Sequence, residues 1–287
     1  MRLSERRGSC RHHPFRSFQE EIDELTIPPE SELPRHPEIR RILLLIFGSF
    51  FLSAMVVYLA SLYARSLQMV AGEFFLVLPS LLYLRAKTYD SRTVLRLWPA
   101  NFKVLAASAV MAVAAPFLLD EFDRIVQTFI EMPAEYEAML LEMFRAQTLF
   151  DWVMLFLGTV LLAAVVEEML FRGMLQQALE RKFDPPFAIF ISAMIFAMIH
   201  PSPWLLQVLV IGLLFGYCAW RSGSIVPGLV IHAFNNAFAL FFTNIDTEQL
   251  SWYSWNGHVH PTIVAVAACL TFYGLKWFNN LTRPPQS

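Results

Sequence analysis

Glu167, Glu168 and Arg172 stand together in "AAVVEEMLFRGML", residues 163–175, inside a run that is otherwise apolar. Further along, "SAMIFAMIHPSP" carries His200, and "GLVIHAFNNAFAL" carries His232, Asn235 and Asn236 in similar surroundings. An ionisable side chain in such a setting is costly and is by default a functional residue whose partner has to be found. Glu168 and Arg172 are spaced i, i+4, one turn apart on one helix face, which suits a local ion pair. Glu167 points about 100° away, so Arg172 leaves it free to face a different cavity. His232 and Asn236 are again i and i+4 and can aim donors at one point, whereas Asn235 is rotated away.

These residue types support one kind of chemistry. A carboxylate held out of bulk water can take a proton from a water molecule as general base. A nearby histidine can hold that water or share its proton. A second histidine and an Asn amide on another helix can stabilise an oxyanion growing on a peptide carbonyl. Glu167 with His200, opposed by His232 and Asn236, supplies each part. No Ser or Cys sits beside a His as a covalent nucleophile requires, so water is the expected attacker. A catalytic zinc held by Glu167, His200 and His232 is the alternative. The HExxH pair of zincins is absent, and the expectation is that no metal or other cofactor is needed.

Each residue also has a plainer reading. Glu168 and Arg172 can serve only to hold their helix. His200 can be a polar cap ahead of Pro201 and Pro203, where a helix must end. His232 and Asn236 can be interhelical glue, and Phe196 a packing residue.

The elements that must position these groups are membrane helices. Of 287 residues, 56% are hydrophobic and only 16% charged, with a mean hydropathy of +0.47. A soluble domain carries about 25% charged residues, so the composition points to a bilayer protein. The net charge of −2 gives no sign of a nucleic-acid partner. Cys10, Cys218 and Cys269 are far apart, and the last two lie in apolar runs, which predicts buried thiols rather than a disulfide framework.

Apolar runs recur at about 42–63, 70–84, 102–119, 150–178, 186–200, 204–220, 225–242 and 261–278. The pattern predicts an all-α polytopic helical bundle of about eight transmembrane helices, with the runs at 70–84 and 186–200 short for a span. Eight spans place eighteen Lys and Arg on one side, eight of them in the first 41 residues, and only Arg65, Arg124 and Arg145 on the other. By the positive-inside rule both termini are then cytoplasmic. The chain divides into a disordered basic arm (1–41), N-terminal transmembrane helices with an outer loop (42–149), a catalytic core (150–242), and a last loop, helix and tail (243–287). His12 and His13 in the arm read as a solvated pair. The outer loop, about 120–149, has helical spacing on both sides of Pro133, which predicts two short amphipathic helices on the outer surface.

Depth ties the polar groups together. Counted from the cytoplasmic helix ends near residues 180, 186 and 224, Glu167, His200, His232 and Asn236 lie roughly 20, 21, 12 and 18 Å along their axes. They can share one layer.

At these residues the chain resembles the CAAX-protease and bacteriocin-processing family, also called the Abi family. Its EExxxR motif stands at Glu167–Arg172, followed by Gly173. Its FxxxH motif runs from Phe196 to His200, and its HxxxN motif from His232 to Asn236. The resemblance covers about 150–242, and stretches such as "YLRAKTYDSRTVLRLWPAN" are more similar to bacterial members than to the eukaryotic endopeptidase. It implies a glutamate-dependent intramembrane endopeptidase in a bacterial inner or plasma membrane. Glu167 and His200 would activate water, and His232 and Asn236 would form the oxyanion site. Glu168, commonly grouped with the active site, would pair with Arg172. The partners implied are the lipid bilayer and a membrane-associated peptide or protein, such as a prenylated CAAX tail or a leader peptide. A non-catalytic immunity or scaffold protein of the same fold would tolerate Glu167→Gln. A proton-coupled transporter would use the same carboxylates as a relay, but the paired repeats expected of one are not visible.

Overall fold

The computed structural model describes residues 35–62, 67–130, 132–200, 205–245 and 250–282. The sequence readings that concern residues 1–34, Arg65, Pro201, Pro203 and Arg283 lie outside them.

The helices are α1 (Ile39–Ser61), α2 (Gln68–Ala86), the short α3 (Ser91–Val94), α4 (Phe102–Gln127) and α5 (Ala134–Phe144). They continue with α6 (Leu149–Glu180), α7 (Pro185–Met198), α8 (Leu205–Ser222), α9 (Val226–Thr243) and α10 (Pro261–Leu281). Their ends carry ordinary start signals. Asp90 and Asn101 cap α3 and α4, Thr148 and Asp151 form a capping box on α6, and α7, α9 and α10 have proline in their first turn.

Among the described residues seven helices (α1, α2, α4, α6, α8, α9 and α10) are long and apolar enough to cross a membrane. The protein is an all-α, polytopic integral membrane protein. The eighth run, α7, has 14 residues and is about 21 Å long, short of the roughly 30 Å hydrocarbon core. The helix ends at Met198 and the chain turns at Ile199 and His200, so His200 sits just past the helix end.

α6 is the axis of the bundle. Every residue from Met169 to Gln176 is buried, which requires neighbours all round. Residues of α1, α2, α6 and α7 share one apolar cluster, including Ile42, Leu76, Leu170 and Phe196. Residues of α4, α8, α9 and α10 share a second, including Met111, Phe215, Ile231 and Phe278. The outward faces stay apolar, with Leu44, Phe47, Phe51 and Tyr58 of α1 and Val266, Phe272 and Tyr273 of α10 exposed, as lipid-facing surfaces require.

Three details depart from the sequence reading. α4 runs on without a break to Gln127, so only α5 is a separate helix in the outer loop. No residue before Gln127 is a strong enough breaker, since Pro116 is tolerated within a packed membrane helix. Cys218 is buried as expected, but Cys269 is exposed on the outer face of α10. Third, Ser254–Trp255 (β1) and His258–Val259 (β2) form a small hairpin. Its turn, Asn256–Gly257, has positive φ at both residues, as a two-residue hairpin turn demands.

Candidate active site

α6 is not a uniform α-helix. Phe156–Leu162 and Met169–Gln176 are π-helical, on either side of the α-helical Ala163–Glu168. Such widened turns are frequent at functional sites. Here they bracket the two glutamates.

Glu167 and Glu168 part company as their spacing predicts. Glu168 is wholly buried, and its Oε1 lies 2.9 Å from Nη1 of the equally buried Arg172. The guanidinium also donates to the Gly212 carbonyl at 3.2 Å and stands 4.1 Å over the Phe196 ring. The same Glu168 oxygen is 3.2 Å from Nδ1 of His232. Glu168 therefore does more than pair with Arg172, because it fixes the His232 ring from α9. Phe215 stacks on that ring at 4.7 Å. With Nδ1 held, Nε2 is the atom presented to Glu167, 3.5 Å from its Oε2.

His200 approaches the same oxygen from the other side, with Nε2 3.9 Å from Glu167 Oε2. Its Nδ1 donates to the Phe196 carbonyl at 2.7 Å, leaving the Nε2 lone pair toward Glu167. Phe196, expected to be a packing residue, thus anchors His200 through its backbone and packs between His200 and Arg172 through its ring. Asn236 reaches this region too, but one amide hydrogen is committed to the Thr159 carbonyl in the first π segment, at 2.9 Å. Asn235 lies 3.5 Å from Asn236 and lines the same cavity. Glu167, His200, His232 and Asn236 all line one cavity of about 530 Å³, within the usual range for a ligand site.

That cavity extends to the end of the bundle where α4 and α9 finish. Asp120, Asp123, Arg124, Phe242 and Thr243 line it there. Asp120 pairs with Arg124 and accepts a hydrogen bond from Tyr253, in the loop before α10. Burial and that carboxylate hold the Tyr253 phenol above its ordinary pKa. Arg124 donates to Gly257 of the hairpin. Among the described residues no group of three or more His, Cys, Asp and Glu side chains is placed to hold a metal ion.

Sequence reasoning missed four contributors. Glu73 of α2 lines the same cavity. Gln176 extends the stripe Glu168, Arg172, Gln176, Glu180, spaced by fours, and donates to both Glu180 and the Gly216 carbonyl. Glu180 is paired with the buried Arg96, which also donates to the Arg172 carbonyl at 3.3 Å. The fourth is a set of glycine seats. A Cβ on Gly212 would lie 3.2 Å from Arg172 Nη2, one on Gly216 2.7 Å from Gln176 Oε1, and one on Gly228 3.0 Å from Glu168 Oε2. The absence of side chains at these positions is what lets the polar stripe approach the backbones of α8 and α9.

Gly173 has a different neighbour. A Cβ there would meet the carbonyl oxygen, carbonyl carbon and Cα of Leu95 at 2.7–2.8 Å, all backbone atoms. Gly173→Ala is therefore expected to push the 95–101 loop, with Arg96, off α6, at a cost of about 1–3 kcal/mol. Unfolding in mixed detergent followed by circular dichroism would measure it. An unchanged midpoint would mean that the loop yields freely.

Residues 149–238, from the start of α6 to near the end of α9, match the family described as Type II CAAX prenyl endopeptidase Rce1-like. No curated protein and no solved structure matches the chain. The bundle is that of a polytopic membrane protein, and over the matched segment it is similar to proteases of the CAAX kind. All three motifs lie inside the matched segment, which is similar to that family of proteases, and the resemblance read from the motifs holds there.

Proposed function

We propose that this protein is an intramembrane endopeptidase that hydrolyses a peptide bond of a membrane-associated protein or peptide with water activated by Glu167. One observation carries the reading: Oε2 of Glu167 is faced by Nε2 of both His200 and His232, while the adjacent Glu168 is taken up by Arg172 and His232. A water about 2.8 Å from both Glu167 Oε2 and His200 Nε2 fits their 3.9 Å separation, forming an angle near 90°.

The proposed reaction runs in two steps. Glu167 takes a proton from the water as its oxygen attacks the carbonyl carbon, and the carbonyl oxygen becomes an oxyanion. The imidazolium form of His232, with Nδ1–H on Glu168 and Nε2–H turned to the carbonyl, and the second amide hydrogen of Asn236 stabilise that oxyanion. The C–N bond then breaks, the leaving nitrogen takes the proton from Glu167, and an acid and an amine result. His200 holds the water and shares its proton. The substrate classes that suit this site are a CAAX tail and a leader peptide. With the Lys- and Arg-rich side facing the cytoplasm, both termini are cytoplasmic in a bacterial inner membrane.

The test is mass-spectrometric cleavage of a peptide library, including farnesylated CAAX and leader-like sequences, by purified protein in detergent. Wild type is expected to cut, and a chelator is expected to leave the rate unchanged. Loss on chelation with recovery on adding zinc would keep the protease but replace its mechanism, with Glu167, His200 and His232 as ligands. Folded wild type that cuts nothing would favour the immunity or scaffold reading.

A further inference from the structure

Glu73 is a second carboxylic side chain in the cavity wall that Glu167 also lines, and it lies outside all three motifs. The other carboxylates lining the cavity have donors or cationic partners. Asp120 takes Arg124 and Tyr253, Asp123 takes Gln127, and Glu167 faces two histidines. Glu73 differs, because its Oε2 is buried and has no hydrogen-bond partner. A carboxylate accepts hydrogen bonds and donates none, and an oxygen left without a donor away from water is costly. A native structure keeps such a group for a reason.

The rest of the lining says what the missing donor is. Four carboxylates line the cavity, and Arg124 is the one Lys or Arg among the described lining residues, already engaged with Asp120 and Gly257. Apolar wall surrounds them: Met69, one turn before Glu73, with Pro116, Ala163 and Leu240. An apolar wall ending in an unpaired carboxylate suits a long aliphatic stem with a cationic head. We propose that Glu73 sets the substrate preference of this cavity by binding the lysine or arginine side chain of the peptide to be cut. The inference rests on the reading of this cavity as a peptide site.

The experiment measures binding, so that it does not depend on turnover. The probe is a neutral nonapeptide of Ala, Leu and Ser with a single Lys moved along it, and the same series with acetyl-lysine, which keeps the stem and removes the charge. Binding is measured in detergent to the Glu167→Gln protein, which leaves the peptide intact. At one register Lys is expected to bind about ten- to a hundredfold tighter than acetyl-lysine, and Glu73→Gln added to that protein is expected to abolish the difference. Glu73→Asp should keep part of it. Glu73→Gln keeps the side-chain volume and removes only a carboxyl oxygen that has no partner, so its unfolding midpoint should match or exceed that of its parent, and Glu73→Ser serves as a second neutral variant.

The proposal is overturned if no register prefers Lys, or if the preference survives both neutral variants. It is also overturned if Glu73→Gln slows cleavage of basic and neutral peptides equally without altering binding, which would place Glu73 in the chemistry instead. A Glu73-dependent preference in a protein that cuts nothing would uphold this inference while the protease reading failed.

Discussion

Glu167→Gln is expected to lower kcat for peptide cleavage by about 10²- to 10⁴-fold while leaving the fold intact, the range associated with loss of a general base. The substitution keeps the volume of the side chain and an oxygen near His200 and His232, but the amide cannot take the proton of water. The direct ion-pair partner of Arg172 is Glu168 and not Glu167. Activity and stability should therefore separate at this residue. At Glu168 they should fall together, because Glu168→Gln strips the partner from a buried guanidinium and loosens His232 at once. Steady-state cleavage rates beside unfolding midpoints for the two variants make the comparison. Retained cleavage by Glu167→Gln would remove this residue from the mechanism.

Arg172→Met is expected to destabilise the protein by about 3–5 kcal/mol, the cost of leaving one member of a buried ion pair alone. Both side chains have no exposed surface, so Glu168 would be stranded without water to solvate it. Met fills much of the space and keeps apolar contact with Phe196 and Phe215, which isolates the loss of charge from the loss of packing. The double variant Glu168→Gln, Arg172→Met should recover much of that loss, since a neutral pair no longer carries the desolvation cost of a lone ion. Unfolding in mixed detergent would follow all three proteins. A single-variant loss under about 1 kcal/mol would show that water or lipid headgroups reach Glu168 after all.

Much of this architecture was legible from the chain because bilayer helices leave long apolar runs, and each run became a helix. The split between Glu167 and Glu168 was legible too, since one residue along a helix turns a side chain by about 100°. What crosses between helices was not. The sequence gives the types of Glu168 and His232, sixty-four residues apart, but nothing in it reports that α6 and α9 are rotated to face each other at those residues. The π segments were hidden for a related reason, because a change from i−4 to i−5 backbone bonding alters no side-chain type. Glu73 was missed although its signal was present: it is an ionisable residue in an apolar run, the same criterion that singled out Glu167. Asn256–Gly257 likewise carried a hairpin signal that was passed over.

The order in which the polar stripe meets its partners bears on how the protein enters the bilayer. α6 leaves the ribosome before α8 and α9, so Gly212, Gly216, Gly228 and His232 are not yet present when Glu168 and Arg172 must cross into lipid. A lone carboxylate or guanidinium there would oppose insertion. Four residues apart on one helix, the two can neutralise each other without help from any other element. The ion pair is thus a travelling arrangement as well as a final one, and the later helices dock onto a segment whose charges are already balanced. Variants that break the pair should accordingly reduce the amount of protein that reaches the membrane, ahead of any effect on the folded state.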